Sequence, residues 1–147
     1  MAYASCADVE ERLGTAVYVQ LTDDAGTGSA DEEKVVEALA GSEGEVNSYL
    51  GRRYAVPVDP AGEAELAALL KSVALDLAVC RLHARRSPVP ADVQRRREEA
   101  IQWLVRVAAG QAVLPAGAVL RDNAALGPRV GMSGDGRVMT REQLEDL

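Results

Sequence analysis

The chain has 147 residues, enough for one domain with one modest core, and no apolar run reaches the ~18 residues that a membrane span needs. Its hydrophobic content of 48% includes no Phe, one Trp and four Tyr, so Leu, Val and Ala must supply the burial, which favours closely packed helices. The net charge of −7 argues against avid, non-specific DNA binding, and Asp8, Glu10 and Glu11 interrupt any signal peptide, so a soluble protein made in a cytoplasm is expected.

Ser5 is placed to N-cap a short helix from Ala7 to Leu13, stopped by Gly14. Val9 and Leu13 lie four apart and share a face. Thr15–Leu21 reads TAVYVQL; its β-branched content suggests a strand, and its shortness leaves a helix open. A polar, Gly-rich loop follows over 22–29. A long helix then starts near Ser29 or Asp31, since Asp31, Glu32 and Glu33 suit the positive end of a helix dipole. Val35, Leu39, Val46 and Leu50 form its stripe, with Val36 beside it. Gly41 and Gly44 are weak points or close-packing points, and the helix ends around Gly51–Arg53.

Pro57 and Pro60 make Tyr54–Pro60 an extended connector. The strongest helical pattern comes next. Leu66, Leu69, Leu70, Val73, Ala74, Leu77, Cys80 and Ala84 recur at spacings of three and four, which places this helix at the centre of a bundle. Residues 87–90, SPVP, break it. Pro90 suits the first turn of another helix, whose apolar face is Val93, Ala100, Ile101, Leu104, Val105 and Ala108. Asp92 to Arg96 and Arg95 to Glu99 are acid–base pairs at i,i+4, and Gly110 is a stop. From Gln111 the helical period is lost among Gly and Pro. This is an extended arm with room for one or two short strands, and a capping box at Thr140–Gln143 precedes a terminal turn over 141–147. The expected fold is mainly α: a small bundle of about four helices over 1–110, and a C-terminal arm over 111–147.

Few residues converge on chemistry. His83 is the one histidine, which excludes a His-rich metal site and makes any Ser-His-Asp triad depend on it alone. No phosphate-binding GxxxxGK[ST] loop and no GxGxxG fingerprint occurs. Read as an EF-hand from Asp23, the acidic loop has Ala25 at position 3 and Lys34 at position 12, which spoils the ligand set. A turn followed by a helix cap is the simpler account, and a weak cation site at Asp23, Asp24 and Asp31 stays open. Cys6 and Cys80 lack CxxC spacing, and Cys80 reads as a small buried hydrophobe. No cofactor and no catalysis are expected.

Charge is unevenly placed. Residues 1–70 hold 14 acids and 4 bases, whereas 71–110 hold 4 acids and 8 bases. That split fits either complementary surfaces on neighbouring subunits or solvated helix faces. Arg81, Arg85, Arg86, Arg95, Arg96 and Arg97 bracket the turn between the last two helices and could grip phosphates or carboxylates. A small DNA-binding or regulatory protein is therefore the alternative reading, although nothing resembles a helix-turn-helix and few aromatics are near for stacking.

Several stretches are also familiar in order and spacing: Tyr3-Ala-Ser-x-Ala-Asp-Val-Glu-Glu-Arg-Leu-Gly14, Gln20-Leu-Thr-Asp23, Gly26-Thr-Gly28, and Tyr49-Leu-Gly-Arg-Arg-Tyr-Ala-Val-Pro57. Asp76-Leu-Ala-Val-Cys-Arg-Leu-His83 and Arg96-Arg-Glu-Glu-Ala-Ile-Gln-Trp-Leu104 complete the set. Over about residues 3–112 the chain resembles a Mu-like phage family, formerly a domain of unknown function, whose members are similar to the head–tail connector (adaptor) proteins of long-tailed phages. The resemblance implies a structural virion protein at the head–tail junction. It implies a ring of about a dozen copies under the portal, extending a channel through which DNA passes without specific binding, with a neck, stopper or tail-completion protein below. It makes the arm 111–147 the candidate portal- or neighbour-binding element. The arm's candidate contacts are Leu114, Val119, Leu120, Arg121, Leu126, Val130 and Met132, alongside the six arginines.

Overall fold

The computed structural model describes residues 2–121. Leu126, Val130, Met132 and the turn expected over 141–147 lie outside these residues. Five helices follow one another: α1 Cys6–Leu13, α2 Thr15–Thr22, α3 Glu32–Leu50, α4 Ala64–Ala84 and α5 Ala91–Ala108. The architecture is mainly α, as composition indicates.

α1 begins with a complete capping box. The Ser5 hydroxyl accepts from the Asp8 N–H, and the Asp8 carboxylate accepts from the Ser5 N–H. Gly14, at φ +79°, ends α1 and starts α2 in a left-handed conformation that side chains resist. The α2 segment is thus a helix and not the strand that its β-branched residues suggest. The reason is burial: Tyr18, Leu21 and Thr22 all face the core, a spacing of three and four that a strand would split between its two sides. The buried Thr22 hydroxyl is satisfied by the Tyr18 carbonyl one turn back, at 2.8 Å. Ser42 in α3 uses the same device, donating to the Ala38 carbonyl at 2.7 Å.

α4 lies at the centre, packed against each of the other four helices. Ten of its residues are buried, from Leu66 through Leu82. Leu66, Leu70, Leu77 and Leu82 have no exposed surface. Small Ala74 and Ala78 let neighbours approach on further sides. α3 covers one flank with Val35, Ala38, Ser42, Val46 and Leu50, while Val36 points outward. α5 covers another with Val93, Ala100, Leu104 and Val107. The α5 face is therefore rotated from the expected one: Val105 is exposed and Val107 takes its place in the core. A second small cluster joins Val79 and Cys80 to Val93. Both cysteines are free thiols, and no helix among the described residues is long and apolar enough to cross a membrane.

Two tyrosines tie the irregular segments down. The Tyr3 hydroxyl donates to Asn47 Oδ1 at 2.6 Å and accepts from the Val58 N–H at 2.9 Å, joining the N-terminus, α3 and the 54–60 connector. The Tyr54 hydroxyl accepts from the Leu114 N–H at 3.1 Å, and Leu114 is buried in its own chain's core. An antiparallel bridge pairs Tyr54 with Leu120, flanked by Ala55 N–H to Val119 O and Arg121 N–H to Arg53 O, each at 2.8 Å. Residues 111–121 thus lie along the helical body, and among the described residues this bridge is the β-pairing that the expected short strands come to.

Removing part of the centre tests this arrangement. Leu77→Ala should lower the unfolding free energy by ~2–5 kcal/mol, because Leu77 is fully buried between α4 and its neighbours and its removal leaves a void. Urea denaturation followed by circular dichroism would measure it; a change under ~1 kcal/mol would contradict the central placement.

Candidate interaction surfaces

The arginine cluster is largely engaged within its own chain. Glu45, on α3, sits in a fork between two helices. Its Oε2 accepts from Arg81 of α4 at 2.8 Å, and its Oε1 from Arg97 of α5 at 3.0 Å. Gly41, one turn earlier on α3, lets the Arg81 guanidinium pass; a Cβ there would stand 3.0 Å from Arg81 Nη1. The close-packing role expected for Gly41 is therefore real, whereas Gly44 has open space. At the far end of α4, Asp24 receives Arg85 and Arg86. Arg85 also donates to the Leu21 carbonyl at 2.9 Å, and Arg86 to the Asp23 carbonyl at 2.8 Å, so two side chains anchor the loop after α2. Arg95 and Arg96 make the exposed i,i+4 pairs expected with Glu99 and Asp92, at 3.8 and 3.3 Å. Much of the charge split read from the sequence is thus internal pairing of the acidic first half with the basic third quarter.

The acidic loop divides into separate tasks. The Asp23 carboxylate accepts from the Thr27 N–H at 3.0 Å and the Gly28 N–H at 2.7 Å, and these backbone hydrogen bonds hold its pKa below the usual range. At Asp24 desolvation pushes the pKa upward, but Arg85 and Arg86 together outweigh it and the net shift is downward. Asp31 caps α3, accepting from the Glu33 N–H at 3.0 Å. A turn plus a helix cap describes the loop, and no group of three or more His, Cys, Asp or Glu among the described residues is placed to hold a metal ion.

His83 lies half-buried in the last turn of α4. It borders an open cleft of about 310 Å³ together with Arg12, Asp92 and Arg96. Two further ion pairs, Arg12–Asp76 and Lys71–Asp8, tie α1 to α4. They join residues distant in sequence, and no local pattern marks them. The Asp8 carboxyl is held at about 2, against an ordinary 3.8, first by Lys71 and then by the Ser5 N–H.

Of the candidate contacts in the arm, Leu114 is buried, whereas Val119, Leu120 and Arg121 are exposed beside the bridge to Tyr54. Arg52 and Arg53, at the basic end of the helix expected to close around Gly51–Arg53, lie outside the cluster at 81–97. Arg53 shares this end: its guanidinium lies against Gly110, whose φ of +79° and missing Cβ make the room.

Among known proteins, the family model described as "Bacteriophage Mu, Gp36" matches residues 3–130. No curated protein matches the chain.

Two outcomes follow from the ion pairs. Glu45→Ala removes two half-exposed ion pairs and should destabilise the chain by ~0.5–2 kcal/mol, whereas Arg95→Ala, at an exposed pair, should stay within ~0.5 kcal/mol. Urea titrations of both variants would read the contrast, and equal effects would refute the fork. Asp8, Asp23 and Asp24 all have pKa values below those of the unfolded chain. The stability they contribute is complete above about pH 4 and should fall as pH drops towards 2. Urea midpoints measured between pH 7 and pH 2.5 should show that fall, and Asp8→Asn should flatten it.

Proposed function

The chain belongs to the Bacteriophage Mu Gp36 family, a family of phage proteins, and from that premise we propose that it is a non-enzymatic structural subunit of the head–tail connector. The observation that carries this reading is the family match, which runs through the whole helical body and into the arm. In this reading about a dozen copies form a closed ring in the virion, beneath the portal. The ring extends the DNA channel and offers a platform to a neck, stopper or tail-completion protein. The helical bundle is the ring's rigid part, and the segment from Gln111 reaches the portal or a neighbouring copy.

The internal ion pairs support this reading over DNA binding. A duplex-gripping surface needs arginine forks free to displace counterions from phosphates. Glu45 and Asp24 already engage Arg81, Arg85, Arg86 and Arg97. A conduit that must let DNA slide is better served by such neutralised side chains than by free ones.

The test is made on particles. Mass spectrometry of purified virions should find the chain at about a dozen copies, and electron microscopy should place it between head and tail. An amber mutation in its gene should give filled heads and free tails that do not join. Absence of the chain from virions would overturn the proposal.

A further inference from the structure

Most bases among the described residues are matched with a carboxylate, and the exceptions are concentrated. Arg52, Arg53, Arg106, Arg121 and Lys34 make no ion pair with the described residues. Three of them gather where α3 ends. Arg52 and Arg53 follow its last turn, the Arg121 N–H donates to the Arg53 carbonyl, and the Arg121 guanidinium donates to the Gly51 carbonyl. Arg53 Nε is buried and has no acceptor among the described residues. The same end exposes aliphatic side chains: Val56 is 41% exposed, Val119 68% and Leu120 51%. Beside them Ala55, Pro57, Val58, Asp59, Ala61, Gly117 and Val119 border an open groove of about 300 Å³, and Asp59 is the one acid among them. Arginine beside exposed aliphatics is the composition of a protein interface, and a phosphate-binding face would carry less apolar surface.

The other end of α3 is its counterpart. Glu32, Glu33 and Glu37 are exposed and make no ion pair with the described residues, and Val36 between them is 56% exposed. Lys34, Arg81 and Arg85 line a cleft with Glu37 and offset part of that charge. A helix of 19 residues separates the two ends by roughly 28 Å, so they are distinct patches on one body. Acids at a helix start and arginines at its end also suit the helix dipole, with no partner needed. The dipole does not explain why both ends also carry bare valine or leucine.

We infer that copies of this chain join head to tail, the Glu32–Glu37 end of α3 in one copy seating on the Arg52, Arg53, Arg121, Val119 and Leu120 end of the next. Two different patches in contact make a heterologous interface, which propagates and closes into a ring when the rotation per copy allows. The inference rests on the connector reading for that closure, and the contact itself can be measured apart from it. It also relocates the intersubunit complementarity suggested by the charge split. The interface uses the arginines that no carboxylate of the described chain engages, and not the Arg81–Arg97 cluster.

Sedimentation velocity of the full chain tests it. Arg52→Glu and Glu33→Arg are exposed positions whose side chains make no hydrogen bond within the described residues, and circular dichroism would show both variants folded. Each should weaken self-association at least about tenfold, and rising salt should weaken the wild type. An equimolar mixture should recover association to within about threefold of wild type, because each reversed patch meets an opposite one. Arg95→Glu should leave it unchanged. Wild-type association of Arg52→Glu, failure of the mixture to recover, or a monomeric wild type would each overturn the interface. Virions that incorporate Arg52→Glu at the wild-type level would also overturn it and leave the connector reading standing. A chain absent from wild-type virions would overturn the connector reading, while the solution experiment still reports on the contact.

Discussion

The apolar surface of α4, ten of whose residues are buried, is the constraint from which the rest of the structure follows. A helix 21 residues long with so little polar surface has to be covered by its neighbours. α3 and α5 are long enough to cover two flanks, and α1 and α2 cover part of the remainder, leaving Glu65, Ala68 and Ser72 exposed. The lack of Phe makes that covering close. Leu, Val and Ala fill less volume per residue than aromatics, so the helices must approach until their ridges interlock. The segments between helices are then short of packing of their own, and Tyr3 and Tyr54 compensate by hydrogen-bonding backbone groups across the molecule.

Electrostatics follows that packing. α4 brings Arg81 beside α3, and α5 brings Arg97 to the same point, so one carboxylate at Glu45 serves both. Removing that acceptor loses two contacts at once, although both guanidinium groups stay open to water. Arg85 and Arg86 use the same chemistry to hold the loop that precedes α3. Part of the charge of the body is thereby neutralised internally, while Arg52, Arg53 and Arg121, near the end of α3, make no ion pair with the described residues. A rigid unit with reactive ends suits a subunit that repeats by contact with copies of itself.

The departures from the sequence reading share a cause. Thr15–Thr22 has the residues of a strand, but a helix alone turns Tyr18, Leu21 and Thr22 to one side, and the core needed all three. On α5, Val105 and Val107 are equally apolar, and the position of α4 decided which one is buried. The arginines at 81–97 stand out in sequence because they are close together, yet the partners of four of them come from α3 and from the loop before it. No spacing rule connects Glu45 to Arg97, which is 52 residues away. Gln111–Arg121 lacks any period because its order comes from Tyr54 and the 53–55 backbone, not from its own pattern.

By itself the sequence determined the helical class, the central helix, the Ser5 cap, the acidic start of α3, the breaks at Gly14, residues 87–90 and Gly110, and the resemblance to Mu-like phage proteins. These rest on local physics: periodicity, capping and backbone permissiveness act within a few residues. The tertiary structure decided which faces are buried, which arginines are matched, and that three of the four unmatched ones among the described residues gather beside exposed valine and leucine at the end of α3. Those outcomes depend on packing and on Coulomb forces across tens of residues, and a linear pattern does not encode distance in space.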